Sequence, residues 1–176
     1  MPDDLLDWLT GDAPPILFTH GSAQLHGQGF FATAVETARR LGRRALLVAS
    51  RRESLPAELP AGMRHEAYLP FSRVLPHCAA LVSHGGVGTC AQALAAGVPH
   101  LVVPMAFDQF DNASRLVELG VGDCLPVRRL TTDRAVAALR PLLSRTEDVR
   151  ARCAEGAPTL RGETRVAEEL ETLHGG

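Results

Sequence analysis

The chain is organised by an alternation. Short apolar runs are followed by polar or glycine-rich loops, and these by segments with helical spacing. Ile16-Leu17-Phe18-Thr19 runs into His20-Gly21-Ser22, after which Phe31, Val35, Ala38 and Leu41 recur at helical intervals up to Gly42. Ala45 to Ala49 is a continuous apolar run, as expected of a strand covered on both faces. Residues 51–62 read as a polar loop, His65 to Leu69 as a strand, and Phe71 to His77 as one or two helical turns. Ala79 to Ser83 is a further buried strand, entering His84-Gly85-Gly86. A helix is expected from Gly88 to Ala96, stopped by Gly97 and Pro99. His100 to Val103 then reads as a strand, Gln109 to Leu119 as a helix, and Cys124 to Val127 as a strand. Thr131-Thr132-Asp133 can cap a helix with Val136, Leu139, Leu142 and Leu143 on one face, and helices are expected over 147–157 and 162–173.

This order predicts an α/β fold: a parallel sheet with helices on both faces, wound as a Rossmann-like doubly wound layer. Residues 1–14 read as a lead-in with a short helix from Asp3 to Leu9, and 15–176 as one domain. A length of 176 residues is one domain, or half of a two-domain protein. With 45% apolar and 22% charged residues the composition is that of a globular chain, not of a disordered one. The formal charge of −2 gives no basic field for a nucleic acid or an anionic membrane. No apolar run reaches the roughly 18 residues needed to span a bilayer. Met1-Pro2-Asp3-Asp4 lacks the pattern of a leader, and the four cysteines form no C-x-x-C pair, so free thiols in the cytoplasm are expected. All 18 basic residues other than histidine are arginine, a bias that fits a GC-rich genome and carries no functional conclusion.

In such sheets ligands bind beyond the carboxyl ends of the strands, so the chemistry is sought in loops 20–22, 68–72, 84–89 and 104–109. The strongest feature is Ser83-His84-Gly85-Gly86-Val87-Gly88-Thr89-Cys90. Its glycines let a ligand approach the backbone, and the helix that follows offers unpaired N–H groups and the positive end of its dipole to a diphosphate. The plain alternative is a tight strand–helix turn with a capping threonine. Gly86-Val87-Gly88-Thr89-Cys90-Ala91 also fits G-x-G-x-x-A, with Asp108 22 residues after Gly86, so an NAD(P)-binding Rossmann domain is a competing reading. Against it, the fingerprint follows the fourth strand instead of the first, and the acid lies beyond Pro104. Asp108 and Gln109 suit the vicinal hydroxyls of a sugar, although Asp108 would equally serve as a helix cap. Ser22 can add a hydroxyl and an amide to the same phosphates. It stands in no G-x-S-x-G elbow, so a hydrolase triad is not favoured. No cluster of histidine, cysteine or acidic residues has the spacing of a metal site.

Four segments in order carry a resemblance: Phe18-Thr19-His20-Gly21-Ser22, Tyr68-Leu69-Pro70-Phe71, His84 to Gln92, and Ala96-Gly97-Val98-Pro99 continuing to Phe107-Asp108-Gln109. From about Pro14 onward the chain resembles the C-terminal half of a GT-B glycosyltransferase. The family meant is the inverting, nucleotide-sugar-dependent one that includes plant flavonoid, sterol and bacterial macrolide glycosyltransferases. The resemblance implies that Ser22, His84, Gly85, Gly86, Gly88 and Thr89 hold the diphosphate of a UDP- or dTDP-sugar. It implies that Tyr68 and Leu69 receive the base and Gln92 the ribose, and that Asp108 and Gln109 hold the transferred sugar. Tyr68 stands where the family usually has Trp, and Gln92 where plant members have Glu, which leaves uridine against deoxythymidine open.

The implied reaction moves the sugar to a hydroxyl of a small lipophilic acceptor, with no metal or other cofactor. Acceptor site and catalytic base would lie on an N-terminal domain, so no catalytic residue is expected in this chain. Alone it should be inactive, as an isolated domain or a separately encoded subunit. Half of a GT-B nucleotide-sugar epimerase is the closest alternative.

Overall fold

The computed structural model describes residues 3–20, 27–106 and 108–155. Six strands are present among them: β1 (Ile16–Thr19), β2 (Ala45–Val48), β3 (Met63–Glu66), β4 (Ala80–Ser83), β5 (His100–Val102) and β6 (Gly122–Cys124). They form one sheet in the order β3-β2-β1-β4-β5-β6, and every pairing is parallel. This is the strand order of the dinucleotide-binding layer, so the α/β, doubly wound expectation is borne out. Helices are α1 (Asp3–Thr10), α2 (Gly27–Leu41), α3 (Phe71–Val74), α4 (Val87–Ala95), α5 (Asp108–Glu118) and α6 (Thr132–Ser144), and residues 146–155 are also helical.

Strand burial explains the continuous apolar runs. Every residue of β1, β2, β4 and β5 is buried, whereas the edge strands β3 and β6 are only partly covered. Alternate side chains enter two cores. Ile16, Phe18, Leu47, Val82 and Leu101 meet Phe31, Ala34 and Ala38 of α2 and Leu139 and Leu142 of α6. On the opposite face Leu17, Leu46 and Leu81 meet Leu5 and Leu9 of α1, then Val74, Leu75 and Val98. Val102 joins a third cluster with Cys90 of α4, Ala113 and Leu116 of α5, and Val149 and Cys153 from the helical 146–155 segment.

Most expected elements appear within a residue or two of where the sequence puts them. The lead-in helix is α1, which lies on the sheet, with Arg44 stacked 3.9 Å from the centroid of the Trp8 ring. Two strands need correction. The strand expected over His65 to Leu69 is Met63–Glu66, and the one expected over Cys124 to Val127 is Gly122–Cys124. Both are edge strands, where one-sided burial weakens the apolar signal and backbone register decides the limits. Thr131 caps α6 as expected, its Oγ1 accepting from the Arg134 N–H at 3.4 Å, but Ala135 replaces Val136 in the buried row with Leu139 and Leu142. The helix expected over 162–173 lies outside the described residues.

Candidate functional site

The strand order reverses between β1 and β4. From β1 the chain winds outward to β3, then returns to the other side of β1 and continues to β6. The loops leaving these two neighbouring strands diverge to opposite faces and open a crevice at their carboxyl ends. His20 follows β1, and His84-Gly85-Gly86 follows β4.

The glycine loop is held from beneath. Ser83 ends β4 with no exposed surface, and its Oγ accepts from the Gly85 N–H at 3.1 Å. The same Oγ lies 2.8 Å from His100 Nε2. Leu81 pairs with His100 and Ser83 with Val102, so Ser83 and His100 are diagonal neighbours on one face of the sheet. Full burial lowers the His100 pKa to about 3, with the neighbouring His84 adding to the effect, so the ring is neutral at neutral pH. Gly85 has φ +89°, a region that side chains rarely enter, and a Cβ there would lie 2.5 Å from Val102 Cγ1. The following carbonyl is also held: Asn112 Nδ2 of α5 donates to Gly85 O at 3.0 Å.

Gly86 precedes α4 in extended conformation and offers no side-chain cap. The amides of Val87, Gly88 and Thr89 come before any helical acceptor, and the first i−4 bond is that of the Cys90 N–H to Gly86 O at 3.0 Å. Such first-turn donors, with the helix dipole, suit an anion at the mouth of the loop. A Cβ on Gly88 would meet nothing within 4 Å among the described residues, which leave open space in front of this turn.

His84 stands beside these amides, half-buried. Burial lowers its pKa and the Asp108 carboxylate opposes that shift. Its Nδ1 is buried and has no hydrogen-bond partner among the described residues, and the same holds for Nδ1 of His20. His20 is packed against Phe30 with ring centroids 4.7 Å apart, and its pKa is lowered by burial and then by His84. Two imidazoles whose charged form burial disfavours thus sit at the ends of the two strands that bound the crevice.

Asp108 and Gln109 open α5, after the loop that leaves β5. Asp108 is exposed, and its Oδ2 accepts weakly from Asn112 Nδ2 at 3.5 Å. Gln109 is partly committed to the loop itself. Its Oε1 accepts from the N–H groups of Met105 at 2.8 Å and Ala106 at 3.3 Å, which leaves only Nε2 for a ligand. Tyr68 is 56% exposed, whereas Leu69 is buried with Val74 and Leu75. Gln92 is buried on α4, its Oε1 without a partner among the described residues. Ser22 lies outside the described residues. The structure therefore brings together His84, Gly85, Gly86, Gly88, Thr89, Asp108 and Gln109, and sets Tyr68 and Leu69 beyond β3, with Leu69 buried in the same cluster as Ala93 of α4.

Sequence reasoning missed Ser83, His100 and Asn112 as the supports of the glycine loop. The only usable signal was a polar residue at each of two buried strand positions. Their partnership depends on cross-strand register. No group of three or more histidine, cysteine or acidic side chains able to hold a metal occurs among the described residues.

Residues 43–171 match the model of the erythromycin biosynthesis protein CIII-like C-terminal domain. Over 176 residues the chain is 28% identical to a sterol 3-beta-glucosyltransferase of Arabidopsis thaliana, covering 98% of this chain and 28% of that protein. It is 35% identical over 143 residues to the O-mycaminosyltylonolide 6-deoxyallosyltransferase of Streptomyces fradiae, covering 78% of this chain and 32% of that protein. The solved structure of the glycosyltransferase VinC in complex with DTDP superimposes with a TM-score of 0.67 at 26% identity, over 96% of this chain and 45% of that one. The chain thus spans less than half the length of the relatives it matches. With the family match running through the glycine loop and both core faces, the chain belongs to the erythromycin biosynthesis protein CIII-like C-terminal domain family, whose relatives are glycosyltransferases of the GT-B type.

Proposed function

We propose that this domain holds a nucleotide-sugar donor and stabilises its leaving diphosphate for transfer of the sugar to a hydroxyl of a small lipophilic acceptor. The observation that carries the reading is the first turn of α4: uncapped amides, an open space before Gly88, and His84 alongside. As the bond to the sugar breaks, negative charge grows on the diphosphate. Fixed N–H dipoles and a helix terminus oppose that charge with no need to reorganise. His84 donates a further hydrogen bond, and the same role is assigned to Ser22. No metal is required in this scheme. Asp108 accepts from sugar hydroxyls, with Nε2 of Gln109 as a neighbouring donor. Tyr68 stacks on the base, Leu69 offers its backbone to it, and Gln92 reaches the ribose.

The acceptor and the base that deprotonates it are assigned to an N-terminal partner domain, and catalysis to the assembled enzyme. The DTDP bound to VinC favours a deoxythymidine donor over a uridine one. The cytoplasm is the proposed location, consistent with four cysteines that are all free. An NAD(P) site is disfavoured because the glycine loop follows β4, not β1.

Calorimetry of the 176-residue chain with dTDP, UDP, their sugars and NAD, without added metal, tests the reading. Binding of a nucleoside diphosphate is expected. Tight NAD binding with none of dTDP or UDP would refute it.

A further inference from the structure

Gly85 has hydrogen bonds to side chains at both its N–H and its carbonyl. Ser83 Oγ accepts from the Gly85 N–H, and Asn112 Nδ2 donates to the Gly85 carbonyl. The orientation of the Asn112 amide is forced by its surroundings. Its two contacts, Gly85 O and Asp108 Oδ2, are both acceptors, so Nδ2 must face them. Asn112 is the only asparagine of the chain, and it lies on α5, 27 residues away from the glycine loop it touches.

We infer that Asn112 is a positioning residue, which sets the direction of the Gly86 N–H in the diphosphate site. The peptide bonds of the described residues include no cis bond, and in a trans peptide the N–H points opposite to the preceding carbonyl. Asn112 draws the Gly85 carbonyl toward α5. The Gly86 N–H is thereby turned away from α5, to join the unpaired first-turn donors of α4. Gly85 alone cannot fix this direction, since a glycine with positive φ has more than one accessible peptide orientation. Val102 Cγ1 occupies the place a Cβ of Gly85 would take, and Asn112 holds the carbonyl.

The inference rests on the donor-binding reading above, and its test is built to separate the two. The 176-residue chain is labelled with nitrogen-15 and titrated with dTDP and UDP, as wild type, Asn112→Ala and Asn112→Asp. In the wild type the Gly86 amide should shift on titration. In Asn112→Ala affinity should fall about tenfold, the worth of one hydrogen bond in a binding site, and the Gly86 response should shrink while the sheet amides keep their positions. Asn112→Asp keeps the shape but sets a carboxylate against the Gly85 carbonyl, so it should lose affinity as well. Wild-type affinity in either folded variant overturns the inference and leaves the functional reading standing. Failure of both variants to fold makes Asn112 a structural residue and also overturns it. No binding of dTDP or UDP by the wild type overturns the functional reading, and the inference with it.

Discussion

Replacing Gly85 and Gly88 separately by alanine distinguishes a glycine that the fold needs from one that the ligand needs. At Gly85 the added Cβ would lie 2.5 Å from Val102 Cγ1 and 3.3 Å from Gln109 O, on a backbone with φ +89°. Left-handed backbone costs about 1–2 kcal/mol for a residue with a side chain. Forcing a methyl into a packed contact costs about 1–3 kcal/mol. Gly85→Ala should therefore lose about 2–5 kcal/mol, a fall of roughly 4–20 °C in Tm for a chain of this size. At Gly88 the new Cβ meets nothing within 4 Å among the described residues, and the residue lies in the first turn of α4. Stability should change by less than about 1 kcal/mol, upward, because alanine favours the helix over glycine. Binding should respond in the opposite sense. A methyl projecting into the space before the free amides keeps a diphosphate off the backbone, and an overpacking cost of about 1–3 kcal/mol weakens it roughly 5- to 150-fold. Thermal unfolding and dTDP calorimetry on both variants check this. A stable Gly88→Ala that binds dTDP as tightly as the wild type would show that no ligand approaches this turn. An unchanged Tm in Gly85→Ala would refute the packing argument.

Three further outcomes are expected. His84→Ala should weaken dTDP by about 1–3 kcal/mol with little change in Tm, because the ring is half-buried in a loop; equal affinities by calorimetry would make it structural. Asp108→Ala should weaken the nucleotide sugar and spare dTDP, since its exposed carboxylate is assigned to sugar hydroxyls; equal losses for both ligands would move it to the nucleotide or to the support of Asn112. His100 has a folded pKa of about 3 against an ordinary 6.5, so the unfolded chain takes up the proton first as pH falls. Its contribution is complete above pH 6.5 and is lost progressively below it, by up to about 1.4 kcal/mol per unit. The burial-lowered pKa values of His20 and His84 act in the same direction. Denaturant unfolding between pH 6.5 and 5 should show the slope, flattened in His100→Gln; an identical slope in that variant would mean that His100 is not neutral in the fold.

The layer architecture and the glycine loop that opens α4 were legible in the residues alone. Runs such as Ala45 to Val48 and Ala80 to Ser83 are apolar at every residue because both faces of a central strand are covered, and that pattern is local. The free amides of α4 were legible for the same reason: a strand, three glycines within four residues and a helix start are all encoded by neighbours in the chain. The limits of the edge strands β3 and β6 emerge with the folded sheet, because register fixes them and apolar pattern does not. The tertiary structure also decided how each polar side chain near the site is employed. Gln109, expected to serve a sugar, has its Oε1 engaged by Met105 and Ala106, and Asn112, to which the sequence assigns no role, reaches Gly85. Ser83 and His100 meet because β4 and β5 pair in one particular register. Hydrogen bonds of this kind join residues 17 and 27 positions apart, and a directional bond of about 3 Å depends on how separate elements dock, which no local pattern of residue types encodes.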